Sequence, residues 1–305
     1  MANSTADGLE AYLGDARVRV DAVLERWGGE AERFWAAPVP AAVRYSLLGT
    51  GKRLRPTLVF AAYEALGGTH PAVAELAAAV EVVHAYSLVH DDLPCMDDDD
   101  LRRGRATTHR AFDVATATQA GYHMVALAAQ VLASGLAALK LSPTRAQQVA
   151  LELFRAAGAG GMIGGQVLDL EAEGKRIPVA ALQEVHHRKT GALIAASCVI
   201  GGLAAGDDAP GGHLAALRNY GETIGLAFQI ADDVLDATGT SAQLGKTPGK
   251  DAAHDKTTFV TLLGVGAAKA EAERLSAHAV DHLRQAGLVS PVLVALADYI
   301  VTRPN

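Results

Sequence analysis

Residues 91–105 read DDLPCMDDDDLRRGR, a stretch with a very high density of charge. Six of its first ten residues are Asp, and three of its last four are Arg. Because like charges repel, it is unfavourable for a folded chain to keep such a cluster together unless cations or solvent offset the repulsion. Asp91 and Asp97 would face different sides of a continuous helix, but Pro94 between them disturbs the helix. We therefore expect a turn that brings Asp97 back toward Asp91.

A second acidic cluster lies in FQIADDVLDATG, residues 228–239. Asp232 and Asp236 are one helical turn apart, so a continuous helix stacks them on one face, with Asp233 beside them. The apolar neighbours Ile230 and Leu235 predict that the helix is otherwise packed. Carboxylates in a largely buried helix are costly unless cations neutralise them, so this cluster also predicts a bound cation.

Two carboxylate sets that face each other across a cavity make an oxygen-ligand site for hard divalent cations. Mg²⁺ takes one or two carboxylates and completes its shell with water and phosphate oxygens, so the pattern indicates a polyphosphate substrate. Arg102, Arg103 and Arg105 follow at once, and their forked guanidinium groups suit phosphate oxygens. Taken alone, the first cluster fits a solvated acidic turn equally well. Neither cluster has EF-hand spacing, and a phosphohydrolase ligated through His90 and Asp91 leaves the second cluster unexplained.

The rest of the chain has a helical pattern, because strand signals are nearly absent and Ala-rich stretches with helical spacing dominate. The predicted helices span residues 8–26, 38–49, 54–67, 71–92, 107–139, 143–157, 159–172, 178–205, 211–237, 257–286 and 290–302. The charge-free segments 114–139 and 190–206 are rich in Ala and Gly, and we interpret them as buried core helices rather than membrane spans. No repeat or linker divides the chain, which predicts one all-α helical bundle domain over residues 1–305.

The composition narrows the possible partners and compartments. The chain of 305 residues has a net charge of −7 and no long basic block, which argues against nucleic acid as a partner. Its two cysteines, Cys95 and Cys198, are far apart and form no CxxC motif, so neither a disulfide framework nor a zinc site is expected. The N-terminal residues do not have the pattern of a secretory signal. A reducing cytoplasm fits these features.

Seven motifs, in order along the chain, resemble the trans-isoprenyl diphosphate synthase family and are most similar to its bacterial farnesyl diphosphate synthase group. The motifs are GKRLRP (51–56), HAYSLVHDDLPCMDDDDLRRGR (84–105), GGQVLDL (164–170), HHRKTGALI (186–194), FQIADDVLD (228–236), LGK (244–246) and KTTF (256–259). The resemblance implies the all-α isoprenoid synthase bundle with a central active-site cavity, usually as a homodimer. It implies head-to-tail condensation of isopentenyl diphosphate with the allylic substrates dimethylallyl and geranyl diphosphate. It also implies about three Mg²⁺ ions per site when substrate is bound.

The resemblance assigns roles residue by residue. The implied Mg²⁺ ligands are Asp91, Asp97 and Asp232, supported by Asp92, Asp233 and Asp236. The implied ligands of the allylic diphosphate are Arg102, Lys189, Lys246 and Lys256, with Thr190 and Gln229 nearby. The implied ligands of isopentenyl diphosphate are Lys52, Arg55, His84 and Arg103. Lys189 and the Thr190 carbonyl are implied to stabilise the allylic cation, and the departing pyrophosphate is the implied base for the final proton.

The chain departs from the family pattern at four positions near these motifs. Thr50 and Ala106 replace a common Gly and a usual Pro, and Phe259 replaces a usual Tyr. Tyr122 follows Gly121 where the family usually has Asp. None of these changes removes a metal or phosphate ligand, but Tyr122 could alter the cavity lining or the dimer interface.

The residues upstream of Asp91 bear on product length. Tyr86 lies about 7.5 Å from Asp91 along a helix axis, and Ser87 lies one turn from Asp91 on a similar face. A Tyr at this place, with the two extra residues in DDLPCMD, resembles C15-forming bacterial enzymes. Farnesyl diphosphate is therefore the expected product and geranylgeranyl diphosphate the alternative. Tyr86 could instead simply pack between helices.

Two other functions share the fold that is expected here. A terpene cyclase typically has an Asn/Ser-Thr/Glu triad as its second metal motif, whereas this chain has DDVLD. A non-catalytic subunit of a prenyl synthase should have lost an Asp or Arg from a motif, and this chain has lost none. Both alternatives are therefore less favoured than a synthase.

Overall fold

The computed structural model describes residues 2–206, 212–239, 256–288 and 290–303, and most of them lie in helices. The helices before the long charge-free segment are α1 (Ala2–Phe34), α2 (Val39–Leu47), α3 (Leu54–Ala65), α4 (Val73–Asp91) and α5 (Thr108–Ala111). The middle helices are α6 (Val114–Leu139), α7 (Pro143–Ala157), α8 (Met162–Ala172), α9 (Val179–His186) and α10 (Ala192–Ala204). The last helices are α11 (His213–Thr238), α12 (Phe259–Leu263), α13 (Val265–Gln285) and α14 (Pro291–Thr302). The all-α prediction is confirmed.

Helix α4 forms the centre of the larger apolar core. Apolar side chains lie all round it, which is the pattern of a helix buried on every side. Helix α6 packs along α4 through two glycines that leave room for side chains of α4: Gly121 lies against His90, and Gly135 lies against Glu75 and Leu76. These two contacts fix the pair as antiparallel, and they leave Asp91 at the end of α4 that opens into the site described below.

Three predicted helices are interrupted. The predicted helix 107–139 breaks before α6, where Asp113 adopts an extended conformation and its carboxylate caps the helix by accepting the Thr116 N–H at 2.8 Å. The predicted helix 257–286 breaks at Gly264, whose positive φ of 81° suits glycine. The predicted helix 178–205 contains one π-helical turn over His187–Gly191, which we call the π turn. Predicted helix 8–26 is also too short, since α1 runs from Ala2 to Phe34.

The two charge-free segments have different environments. Helix α10 is buried along nearly its whole length, as expected. Helix α6 is buried only on the side that faces the bundle, mainly against α4 and α2, so the prediction of a buried helix is wrong for its outer face. Two helices, α4 and α6, are long and apolar enough to cross a membrane by length and composition alone, but 78% of the α4 window is buried inside the protein, against 33% for α6.

The acidic loop leads into a short antiparallel hairpin. Its strands are Leu101–Arg102 (β1) and Arg105–Ala106 (β2), with Arg102 paired to Arg105. Arg103 and Gly104 form the turn with φ values of 53° and 75°. The hairpin is the only strand pairing in the described ranges, and it points Arg102 back toward Asp92 of the acidic loop, whereas Arg103 donates to the Thr50 carbonyl at 3.0 Å.

Candidate active site

A cavity of about 830 Å³ opens between α4, α6, α8, the π turn and α11. It is lined by most of the residues that the sequence motifs single out: Arg55, His84, Tyr86, Ser87, Asp91, Asp97, Arg102, Arg103, Lys189, Thr190, Gln229, Asp232, Asp233, Asp236 and Lys256. Asp92 lines a smaller neighbouring cavity of about 70 Å³ instead. Lys246 lies outside the described residues. The motifs at 84–105, 186–194 and 228–236 therefore meet at one place.

The first acidic motif turns back on itself as its Pro predicts. Helix α4 ends at Asp91, and the Asp97 N–H donates to the Asp91 carbonyl at 2.9 Å. Burial raises the pKa of Asp91 to about 6, and the nearby Asp97 carboxylate adds to the effect. One Asp97 oxygen is buried and accepts no hydrogen bond. The two carboxylates are close together, and one oxygen of Asp97 has no hydrogen-bond donor. A divalent cation bound between them would supply positive charge at this place.

Arg102 is held by the acidic loop itself. Its Nε donates to Asp92 at 3.0 Å, its Nη2 also contacts Asp92, and the same Nη2 donates to Asp99 at 3.3 Å. Asp92 is almost fully buried, so the pair fixes the guanidinium at the cavity wall rather than in solvent. In this arrangement Asp92 positions Arg102 and does not itself face the main cavity.

The second acidic motif lies on α11, which is continuous through it. Asp232 and Asp236 line the cavity from the same face, as predicted. Asp233 is buried and accepts the Phe259 N–H at 2.7 Å, so it joins α11 to the start of α12. Asp232 accepts a hydrogen bond at 2.5 Å from Arg303, whose guanidinium also lies 3.9 Å from the centre of the Phe228 ring.

Two lysines lie between the acidic motifs. Lys189 donates to Asp169 on α8 at 2.6 Å, and Lys256 lies 3.5 Å from Asp169 and 3.8 Å from Asp97. Burial raises the pKa of Asp169, but the Lys189 and Lys256 ammonium groups outweigh it, so that this pKa lies below its ordinary value. Asp169 thus holds two cations at the cavity wall. Asp169 is not among the site residues expected from the sequence, although it stands inside the GGQVLDL motif.

The π turn presents Lys189 and Thr190 to the cavity. The Thr190 hydroxyl donates to the Gln229 side-chain oxygen at 2.8 Å, which ties the turn to α11. On its other side the turn touches α8, where a Cβ at Gly165 would lie 2.1 Å from the Lys189 backbone nitrogen. Glycine at 165 is therefore what allows the two backbones to approach so closely.

A second group of cations lies at the end of the cavity formed by α3 and the hairpin. Arg55 is partly buried and shares a 3.3 Å contact with His84. Burial lowers the pKa of Arg55 to about 10, and burial together with Arg55 lowers the pKa of His84 well below its ordinary value. Burial lowers the pKa of Arg103, which also lines the cavity. Lys52 is exposed and does not line this cavity; its partial desolvation and the charge of Arg303 lower its pKa. These cationic side chains lie so close together that each disfavours the charged form of its neighbours. Such an arrangement indicates a binding site for an anion.

Arg53, which stands between Lys52 and Arg55 in the sequence, has a different environment. It donates to Glu81 at 2.7 Å and to Asp21 at 2.8 Å, and it is almost fully buried. Its φ of 49° lies in the left-handed region, and the buried ion pairs hold this strained conformation in place. Arg53 therefore supports the loop that presents Lys52 and Arg55.

Tyr86 is buried in the wall of the cavity below Asp91. Its exposed fraction is 7%, and burial together with the Asp91 charge raises its pKa to about 12. The Ser87 hydroxyl also lies at the cavity wall and donates to the His84 carbonyl of its own helix at 2.8 Å. The expected position of Tyr86 at a cavity wall agrees with the structure, while a role in product length remains a prediction.

The chain matches the polyprenyl synthetase family model over residues 37–293. It is 45% identical over 273 residues to the farnesyl diphosphate synthase of Escherichia coli, which covers 88% of this chain and 91% of that protein. It is 42% identical over 271 residues to the large subunit 1 of a heterodimeric geranylgeranyl pyrophosphate synthase of Arabidopsis thaliana, covering 87% of this chain and 72% of that protein.

A similar fold is found in the crystal structure of a geranyltransferase from Helicobacter pylori complexed with magnesium and isoprenyl diphosphate. That structure has a TM-score of 0.79 and 29% sequence identity, and the match covers 95% of this chain and 96% of that one. The family match spans far more than half of the chain, and the motifs that carry the site fall within it. The chain therefore belongs to the polyprenyl synthetase family.

Proposed function

We propose that the protein is a Mg²⁺-dependent trans-prenyltransferase that condenses isopentenyl diphosphate head-to-tail with dimethylallyl and geranyl diphosphate. The proposed product is farnesyl diphosphate. The observation that carries this proposal is the presence of two cation groups at one cavity. Lys189, Lys256 and Arg102 lie beside the acidic motifs, whereas Arg55 and Arg103 lie apart from them. One cavity that joins two diphosphate sites suits a reaction that joins two diphosphates.

The acidic motifs would hold the metal. Asp91 and Asp97 on one side and Asp232 and Asp236 on the other would bind about three Mg²⁺ ions together with the allylic diphosphate. Among the described residues, no group of three His, Cys or carboxylate side chains is placed to hold a metal ion by itself. When bound, the metal would neutralise the charge that develops on the departing pyrophosphate.

The chain's own residues would carry the rest of the reaction. Lys189 and Lys256 would bind the allylic diphosphate as its C–O bond breaks, and the apolar wall would keep water from the allylic cation. Arg55 and His84 would hold isopentenyl diphosphate so that its double bond meets that cation and a new C–C bond forms. The pyrophosphate then takes the proton that is lost from the joined product. Lys52, Arg103 and Lys246 would add positive charge around the two diphosphates.

The length of the product would depend on Tyr86, whose buried ring lies below Asp91 in the wall of the cavity. A ring at this depth favours the C15 product. Geranylgeranyl diphosphate remains the second candidate, because relatives of similar identity are geranylgeranyl synthases.

We also propose that residues 1–305 act as one domain, that two copies form a homodimer, and that the enzyme works in the cytoplasm. The exposed face of α6 carries no charged side chain over its length, which favours burial against a second copy. Sedimentation should give a dimer, and Ala126→Glu on this face should weaken it, while Ala267→Glu on the exposed face of α13 should not. A monomeric wild type would refute the dimer. Both cysteines are free, as a reducing compartment allows.

The first test is product analysis with Mg²⁺, isopentenyl diphosphate and, separately, C5, C10 and C15 allylic diphosphates. Farnesol after dephosphorylation, with little extension of the C15 starter, is the expected result. Asp91→Ala and Asp232→Ala should each reduce turnover by about 10³-fold or more. Asp100→Ala is the matched control, because this exposed carboxylate of the same motif does not line the cavity and, in the part of the chain that the structure describes, pairs with Arg110. No condensation with any starter would refute the synthase, and full activity of Asp91→Ala would refute the metal assignment.

A further inference from the structure

Tyr86 does not stand alone in the cavity wall. Its ring lies 6.0 Å from the ring of His90, edge to face, and the His90 ring lies 5.3 Å from that of Tyr122, also edge to face. All three side chains line the same cavity. The rings thus form a continuous aromatic row from α4 to α6, and we call Tyr86, His90 and Tyr122 the aromatic row.

The position of His90 in this row is held from two directions. Its Nε2 lies 3.1 Å from the Thr118 carbonyl of α6, within hydrogen-bond distance. Its ring also occupies the space above Gly121, where a Cβ would lie 2.0 Å from the same nitrogen. Any larger residue at 121 would push the imidazole away. The middle ring therefore cannot shift freely, and it transmits the position of Tyr122 to Tyr86.

Tyr122 lines the cavity at a level between Asp91 and Tyr86. The contacts of Gly121 with His90 and of Gly135 with Leu76 place α4 and α6 antiparallel, so Val125 lies near the level of Tyr86. Tyr122 lies three residues nearer to Asp91, about 4.5 Å along the axis. Its side chain is 68% exposed, so it forms the outer side of the cavity rather than part of the core.

We propose that the aromatic row acts as one barrier to chain growth and that Tyr122 is a specificity-determining residue for product length. This inference rests on the proposed function. A prenyl chain that extends from Asp91 passes the Tyr122 ring before it reaches the depth of Tyr86. Removal of the Tyr122 ring opens a lateral path around Tyr86, and it also removes the support that Tyr86 receives through His90. Both effects lengthen the product.

The test is product analysis of Tyr122→Ala beside the wild type, Tyr122→Phe and Tyr86→Ala. Tyr122→Ala should raise the share of products longer than the main wild-type product about tenfold. Tyr122→Phe keeps the ring and should keep the wild-type distribution. Gln119→Ala is the matched control, because Gln119 is exposed one turn away on α6 and does not line the cavity. The double variant Tyr86→Ala/Tyr122→Ala should shift less than the sum of the single variants, since the rings act together.

Each outcome bears on the proposal. An unchanged distribution for Tyr122→Ala, in a protein that circular dichroism shows to be folded, would overturn it, and so would an equal shift for Tyr122→Phe. Gel filtration should show whether each variant is still a dimer. If Tyr122→Ala makes longer products only because it has dissociated into monomers, the effect is due to the loss of the second subunit and the proposal is overturned. A wild type that condenses no starter would instead refute the proposed function, and this inference would fall with it.

Discussion

Gly165 on α8 lies against the backbone of the π turn, and Gly165→Ala is expected to displace Lys189. The added Cβ would lie 2.1 Å from the Lys189 nitrogen and 2.5 Å from its Cα, whereas ordinary contact begins near 3.4 Å. The atoms it would meet are backbone atoms, which cannot rotate away as the end of a side chain can. The two segments must therefore separate by about 1.3 Å, which is the difference between these distances.

The size of the effect follows from this separation. Overpacking of this kind costs about 1–3 kcal/mol, and the better helix propensity of Ala returns up to about 1 kcal/mol. A net loss of about 1–2 kcal/mol in the free energy of unfolding is expected. The loss in kcat is expected to be larger, about 10²-fold, because a shift of about 1 Å in a positioning group has that effect. Since a 10²-fold loss corresponds to about 2.7 kcal/mol, the substitution should affect turnover somewhat more than stability.

Urea unfolding and single-turnover condensation measure the two quantities separately. Gly160→Ala is the matched control, since a Cβ at Gly160 meets nothing within 4 Å. It should keep wild-type turnover and the wild-type unfolding midpoint. Wild-type turnover in Gly165→Ala would refute the reasoning, because the contact between α8 and the π turn would then not determine where Lys189 lies.

Three further predictions follow from buried charges and the metal. Glu81→Gln leaves Arg53 with a weaker partner at a site where both side chains are about 4% exposed or less, so the free energy of unfolding should fall by about 3 kcal/mol in urea titrations; a loss below about 1 kcal/mol would contradict this. Burial lowers the pKa of His186 to about 4, so the unfolded chain binds the extra proton and stability falls as pH falls from about 6.5 to 4. His186→Phe keeps the stacking on Phe259. Between pH 7 and pH 5 its free energy of unfolding should therefore fall by about 2 kcal/mol less than that of the wild type; the same pH dependence of the free energy of unfolding in both proteins would refute this. Chelation with EDTA should abolish condensation, and Mg²⁺ should restore it; activity that survives EDTA would contradict a divalent-metal site.

The parts of the site that depend on local sequence could be predicted. Pro94 ends α4, and the turn that follows brings the Asp97 N–H onto the Asp91 carbonyl. Asp232 and Asp236 share a face because helical spacing requires it. In each case the determining residues are within a few positions of each other, so the pattern of the sequence specifies the geometry.

The parts that depend on distant segments could not be predicted. Asp169 meets Lys189 only because α8 packs against the π turn, and Arg303 reaches Asp232 only because α14 brings it back to α11. The charge-free sequence of α6 suggests full burial, yet whether a helix lies inside a bundle or at its edge depends on how the other helices pack around it. The break before α6 had a local signal, the capping Asp113, which a continuous apolar pattern outweighed.

Because of the π turn, the number of residues between α9 and α10 determines which side chains face the cavity. The turn contains one residue more than an α-helical turn would need, and Lys189 and Thr190 face the cavity because of that insertion. The loss of a single codon within residues 187–191 would restore regular helical spacing. It would also rotate one flank of the segment by about 100° relative to the other. A substitution here changes one side chain and keeps the spacing of the others, but a one-residue deletion would turn Lys189 away from Asp169, so such deletions should be absent from active variants of this chain.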